Sequence, residues 1–258
     1  MIKITVLIIF GSSCDEKVFK PICQGLKKQG IAYESRIISA HKTPDELDKV
    51  LKNEYDLIIA GAGLSAALPG VIASKTISPI IGVPVHVNYE GLDALLSIIQ
   101  MPPGIPVLAV GVNKTDVAVD NAIKILTPHD GIVIIGDEDN DVVKKVEETL
   151  KKFEVSYILS DKVDKDKVNI ECTYFDEPID EKEDLVIYCP LITKKDDRAE
   201  AAINLLKHST HGLWVGLNNA VNAAVAAVEI VNFDKRYDQA LKNYREEMKK
   251  KLLAANKK

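Results

Sequence analysis

Short apolar runs that close on Gly, each followed by a stretch of helical periodicity, recur along this chain and restrict its fold more than any other feature. "ITVLIIFG" (4–11), "YDLIIAGAG" (55–63), "SPIIGVPV" (78–85) and "IPVLAVGV" (105–112) read as strands, with "AYESRIIS" (32–39) as a more polar one. Between them, "DEKVFKPICQGLKKQG" reads as a helix ending at Gly30, "TPDELDKVLKN" as a helix entered through Thr43 and Pro44, and "DVAVDNAIKIL" as a third helix. Strands that are apolar at every position leave no face for water, so both faces must be covered by helices. The expectation is an α/β fold of flavodoxin-like or Rossmann-like type: a three-layer parallel sheet whose ligands bind at the carboxyl ends of the strands.

The second half repeats this order faintly. "DGIVIIGDEDNDVVKKVEETLKKFEVSYILSDK" follows the plan of the first strand–helix–strand unit, "EDLVIYCPL" parallels "YDLIIAGAGL", and "LWVGLNNAVNAAVAAVEIV" parallels "LAVGVNKTDVAVDNAIKIL". The expected organisation is a tandem duplication, residues 1–127 and 128–258, joined near "LTPHDG". The second copy is degenerate, without counterparts of the polar strand-end loops. Residues 160–183, dense in charge, are expected to form an irregular surface excursion, and the C-terminal "KNYREEMKKKLLAANKK" a solvated helix.

Composition removes several classes. A net charge of −5, with both signs interspersed, gives no basic stripe for nucleic acid. No run is long and apolar enough to span a bilayer, and the opening "MIKITVLIIF" lacks a small-residue cleavage pattern, so it reads as a buried strand rather than a leader. The spacing of Cys14, Cys23, Cys172 and Cys189 fits reduced thiols, hence a cytoplasmic protein. His208 and His211 find no further metal ligand in their surroundings, and Asp137, Asp139 and Asp141 lack the Gly and distal Glu of a calcium loop. No metal site is expected.

Three strand ends carry the residues capable of chemistry. Gly11-Ser12-Ser13-Cys14-Asp15 offers hydroxyls and backbone N–H groups at a helix start, which suits a phosphate, with Asp15 placed for sugar hydroxyls; ordinary helix capping accounts for the same residues. Ser39-Ala40-His41-Lys42 sets an imidazole and an amine just after a strand, as a general acid–base with an anion clamp or as a solvated loop. Gly61-Ala62-Gly63-Leu64-Ser65-Ala66 matches the G-x-G-x-x-A dinucleotide pattern, but Pro69-Gly70 would break the long helix that pattern requires. A small-residue loop that lets a ligand lie close to backbone, or a plain tight turn, fits better.

Taken together and in this order, "GSSCD", "SAHKTP" and "GAGLSAALPG" resemble the PurE family, the small carboxylation enzymes of de novo purine synthesis. The long segment "GVPVHVNYEGLDALLSIIQMPPGIPVLAVGV" is similar to that family's stretch around Gly-Leu-Asp and Gln-Met-Pro, and the likeness covers residues 3–126. "YDQALKNYREEMKKKLL" resembles the helix that closes a PurE subunit. The resemblance implies an aminoimidazole ribonucleotide substrate with CO2 and no cofactor. The reaction is either transfer of a carboxylate from the exocyclic nitrogen to C4 of N5-carboxyaminoimidazole ribonucleotide, or direct carboxylation of aminoimidazole ribonucleotide. It implies His41 as proton shuttle, Ser12 and Lys42 at the phosphate, Asp15 at the ribose and Ser39 in substrate binding. The loop with Gly61, Ala62, Gly63, Ser65 and Leu68 would enclose the base and CO2.

Three positions depart from the family pattern. Ala67 stands where the mutases carry His, Lys42 where Arg is usual, and Cys14 where a second Ser is usual; Lys is not equivalent to a bidentate Arg at phosphate. A catalytically inert scaffold and an NAD-linked oxidoreductase are the competing classes. Since PurE proteins form octamers, a tandem chain is expected to form a homotetramer that imitates one, with only the N-terminal copies catalytic.

Overall fold

The computed structural model describes residues 5–177 and 179–257; Ile4, where the first strand is expected to begin, and Pro178, within the expected excursion, lie outside them. In chain order the first half comprises β1 (Val6–Phe10), α1 (Glu16–Lys28), β2 (Tyr33–Ile37), α2 (Pro44–Val50), β3 (Leu57–Ala62), α3 (Ala67–Ala73), β4 (Ile80–Pro84), α4 (Leu92–Ile99), β5 (Leu108–Ala109) and α5 (Thr115–Ile125). The second comprises β6 (Ile132–Ile135), α6 (Asp141–Lys151), β7 (Tyr157–Ser160), β8 (Val168–Tyr174), β9 (Val186–Leu191), α7 (Arg198–His208), β10 (Leu213–Trp214), α8 (Ala220–Val231) and α9 (Asp238–Ala254).

Among the described residues, ten strands form one sheet in the order β2-β1-β3-β4-β5-β10-β9-β8-β6-β7. The continuous apolar runs are explained by where alternate residues go. In β1, Val6, Ile8 and Phe10 enter the apolar layer on one face, while Leu7 and Ile9 enter the layer on the other. In β3, Leu57 and Ile59 separate in the same way from Ile58, Ala60 and Ala62. Both layers extend through the two halves: Tyr188, Leu205 and Trp214 join one, and Ile134, Ile170 and α8 the other.

The expected all-parallel sheet is corrected at one seam. Each half is internally parallel, but β5 meets β10 antiparallel through the pair Trp214–Ala109, so the second half enters the sheet reversed. Two strands of two residues carry no local signal for that direction. The excursion at 160–183 is also corrected, because it contains β8, a seven-residue strand between β6 and β9. Val168, Ile170 and Cys172 of β8 pack into the core, and Asn169 is fully buried, its side chain bonded to the carbonyls of Asp164 and Leu185, both at 3.0 Å. By sheet position β9 matches β4 rather than β3, which displaces the expected pairing of "EDLVIYCPL" with "YDLIIAGAGL" by one strand.

α9 is helical as expected, but it is not wholly solvated. Leu241 is buried, and Tyr244 packs its ring 5.1 Å from that of Phe153.

Candidate active site

The first half has strand order 2-1-3-4-5, so the chain leaves β1 in one direction and later returns on its other side. The crevice at such a switch point is where ligands sit in open α/β sheets. There, at the carboxyl ends of β1 to β4, lies a cavity of about 470 Å3. Gly11, Ser12, Cys14 and Asp15 border it from the first loop, Ser39 to His41 from the second, and Ala62 to Leu68 from the third; Val87 adds a fourth wall. The three sequence motifs therefore meet in space.

Each wall has its own local cause. Ser12 is extended, at φ −149° and ψ 147°, and its Oγ accepts from the N–H of Cys14 at 3.1 Å, so capping is part of its work. Asp15 caps nothing with its side chain. Its carboxyl is largely buried, and burial pushes its pKa up against a hydrogen bond from the Ser12 backbone. Cys14 is exposed beside it.

The second wall is held shut by Ser39 and Thr43. Ser39 N–H donates to Thr43 Oγ1 at 3.0 Å, Thr43 Oγ1 donates to the Ser39 carbonyl at 3.2 Å, and Ser39 Oγ accepts from Lys42 N–H at 3.2 Å. Thr43 thus spends its hydroxyl on this loop rather than on capping α2, where Pro44 occupies the first turn. The knot leaves His41 exposed at the cavity edge, its ring without a partner among the described residues.

The third wall depends on glycine. A Cβ on Gly63 would fall 2.5 Å from Val87 Cγ2, and one on Gly61 would overlap the Phe10 ring. Leu64 adopts φ 54°, a strained value for a branched side chain, and Ala66 N–H returns to the Gly63 carbonyl at 3.1 Å before α3 begins. The Pro69-Gly70 pair does not interrupt α3. Pro69 stands in the first turn, where a helix needs no N–H, and the helix runs on to Ala73.

Of the expected site residues, Ser12, Asp15, Ser39, His41, Ala62, Gly63, Ser65 and Leu68 border the cavity. Gly61 lies behind it within β3, and Lys42 is exposed outside the set of bordering residues. Val87 was not anticipated, although its place just past the end of β4, beside β3, is the signal that could have found it. A larger cavity of about 840 Å3 opens between α9 and the segments preceding β3, β4 and β5. Its charged groups are largely committed to one another, as in Lys235–Glu54 at 2.6 Å and Lys242–Asp238 at 3.3 Å, so the smaller cavity is where uncommitted chemistry gathers.

Sheet order, switch-point crevice and strand-tip loops define a doubly wound α/β protein with a small-ligand cavity in its first half. Residues 5–132 match the model of the AIR carboxylase family. The chain is 41% identical over 157 residues to an N5-carboxyaminoimidazole ribonucleotide mutase of Methanocaldococcus jannaschii, covering 60% of this chain and 94% of that protein. It is 41% identical over 150 residues to the protein of the same description in Pyrococcus abyssi, covering 56% and 83%. A phosphoribosylaminoimidazole carboxylase of Saccharomyces cerevisiae is 42% identical over 135 residues, which cover 50% of this chain and 24% of that one. This chain belongs to the AIR carboxylase family.

Proposed function

We propose that the chain is an enzyme of purine biosynthesis that converts N5-carboxyaminoimidazole ribonucleotide to 4-carboxy-5-aminoimidazole ribonucleotide at the strand-tip cavity. The observation that carries this reading is the convergence of the three motif loops on one cavity, in a chain 41% identical to such a mutase across 94% of its length.

His41, free at the rim, serves as the proton shuttle. It gives a proton to the exocyclic nitrogen as the N–carboxylate bond breaks and CO2 leaves. C4 of the electron-rich aminoimidazole then attacks that CO2. The base removes the C4 proton and the ring recovers its aromaticity. An imidazole can both give and take a proton, so one side chain serves both directions. The small residues Ala62, Gly63, Ser65, Ala66 and Ala67 let the ring lie against backbone, and the loop they form keeps CO2 beside C4, so the second bond forms by proximity rather than by capture from solvent. Ser12 takes the phosphate, Asp15 the ribose, and Ser39 fixes the histidine loop. Lys42, close in sequence but outside the cavity border, reaches the phosphate only by extending its side chain.

One observation favours direct carboxylation of aminoimidazole ribonucleotide as a second reading: Lys42 and Ala67 both depart from the mutase pattern. Supplying N5-carboxyaminoimidazole ribonucleotide, or aminoimidazole ribonucleotide with bicarbonate, to wild type and His41→Ala decides between them. Consumption of the first alone supports the mutase, of the second alone the carboxylase. Background rates with both would leave a scaffold.

The second half is a degenerate copy of the first, divided from it at 127/128. The strand order supports this, since 2-1-3-4-5 on one side of the seam is matched by 7-6-8-9-10 on the other. Helices corresponding to α2 and α3 are missing among the described residues between β7 and β9, and those are the helices that follow the His41 and Gly63 loops in the first half. The role of the second half is structural. The cavity is open at its rim, and no Lys or Arg is among the described residues bordering it. A neighbouring copy completes it in a homotetramer that imitates an octamer. The cytoplasmic placement rests on cysteine spacing; no helix among the described residues is long and apolar enough to cross a membrane.

A further inference from the structure

We infer that Arg245 is a positioning residue for the substrate cavity, through which the second half of the chain holds the helix behind the third wall. The inference rests on the proposed function of that cavity and extends it to a residue 204 positions from His41.

α3 is the weak element of the site. It has seven residues, and Ala66 before it supplies no side-chain cap. Helices this short do not persist on their own hydrogen bonds, and their terminal groups need outside partners. Its first residues, Ala67 and Leu68, border the cavity. Its last residue, Ala73, accepts a hydrogen bond at its carbonyl from Arg245 Nη1 of α9. A guanidinium there satisfies an orphan carbonyl and complements the negative end of the helix dipole.

Arg245 is itself fixed. Its Nη2 donates to Glu229 Oε1 at 2.8 Å, and that carboxyl group, from α8, has only 2% of its side chain exposed. A second tie reaches α3 from the same half. Asn219 and Asn222 donate their Nδ2 groups to the Met101 carbonyl at 3.0 and 3.3 Å, and Asn222 Oδ1 accepts from Gly104 N–H at 2.6 Å. Met101 in turn lies against Gly70 of α3, where an added Cβ would sit 3.1 Å from its Sδ. Two independent contacts therefore press on the back of a helix roughly 10 Å long by its rise per residue. With only about two turns between them, a displacement or fraying at Ala73 carries through to Ala67.

The test uses the full chain carrying Arg245→Met with Glu229→Leu. Replacing both members of a buried hydrogen-bonded pair by apolar side chains keeps the core filled and leaves neither group unsatisfied, which is often close to neutral, so the melting temperature should hold while the Ala73 tie is lost. Amide exchange in residues 67–73 should then be about tenfold faster or more, with β1 and β3 unchanged. The kcat/KM for the ribonucleotide should fall about tenfold, mostly in kcat, from misplacement of the wall. Arg245→Lys, which keeps the charge but reaches one acceptor at a time, should fall between; if the double variant does not fold, this variant decides by the same two readouts. Wild-type exchange in α3 overturns the inference, as does wild-type kcat/KM beside faster exchange. A wild-type protein inactive on both substrates refutes the proposed function instead, and exchange then decides the inference alone.

Discussion

Asn113 and Asn218 occupy matching corners on the two sides of the seam. Asn113, at φ 57°, donates its N–H to the Pro84 carbonyl at 2.9 Å and accepts at Oδ1 from His86 N–H at 3.1 Å. Asn218, at φ 53°, donates its N–H to the Pro190 carbonyl at 2.8 Å and accepts at Oδ1 from Ile192 N–H at 2.9 Å. In each case the side chain caps the strand two residues beyond a proline, in a left-handed conformation that Asn tolerates better than most residues.

The two corners should answer differently to one substitution. Asn113→Ala and Asn218→Ala each lose an exposed side-chain bond and leave Ala in a left-handed conformation, at a cost of about 1–3 kcal/mol in a urea melt, most of it backbone strain. Only Asn113→Ala should also lower kcat/KM, because its partner segment leads directly to Val87 at the cavity.

His41→Ala should reduce turnover by about 10²-fold or more, the usual size of a general acid–base contribution. An exposed side chain without a protein partner contributes little to folding, so the thermal midpoint should stay within about 1 °C of wild type. Steady-state kinetics beside a thermal melt reads both.

Gly63→Ala should weaken substrate binding by driving a methyl group into Val87. The double substitution with Val87→Ala removes the Cγ2 contact and should recover part of the loss. A raised KM in the single variant and a partial return in the double, measured by initial rates, is the expected pattern.

Glu229 gives the protein a pH-dependent stability. Burial pushes its carboxyl up to about 8, outweighing the opposing pull of Arg245. The folded chain then keeps a proton that the unfolded chain has released, so stability declines as pH rises from the ordinary carboxylate range to about 8. Glu229→Gln should flatten that decline, a difference on the order of a few kcal/mol between its ends. Melts taken from pH 5 to pH 9 would reveal it.

Light scattering on the purified chain should return four copies per particle. A stable monomer would remove the proposal that a neighbour closes the cavity rim.

Much of the first half was readable because its strands are buried on both faces and its loops carry unusual residues. β8 was not. Asn169 and Glu171 alternate with Val168, Ile170 and Cys172 between clusters of charge, so a central strand resembles a solvated loop until Asn169 is seen satisfied by backbone carbonyls. Ser39, Ala40 and His41 border the cavity while Lys42 does not, and the Ser39–Thr43 knot that fixes this loop is not visible in residue spacing. The seam was invisible for a different reason: direction in a sheet is set by distant packing, and β5 and β10 are too short to carry a pattern of their own.

That reversed seam also settles what covers an otherwise bare sheet edge. A first half standing alone would bare the backbone of β5 along with two truncated oily layers, and bare edges recruit partners. Here β10 of the same polypeptide takes that place, so the exposed edge is sealed within one chain and both apolar layers run on across it.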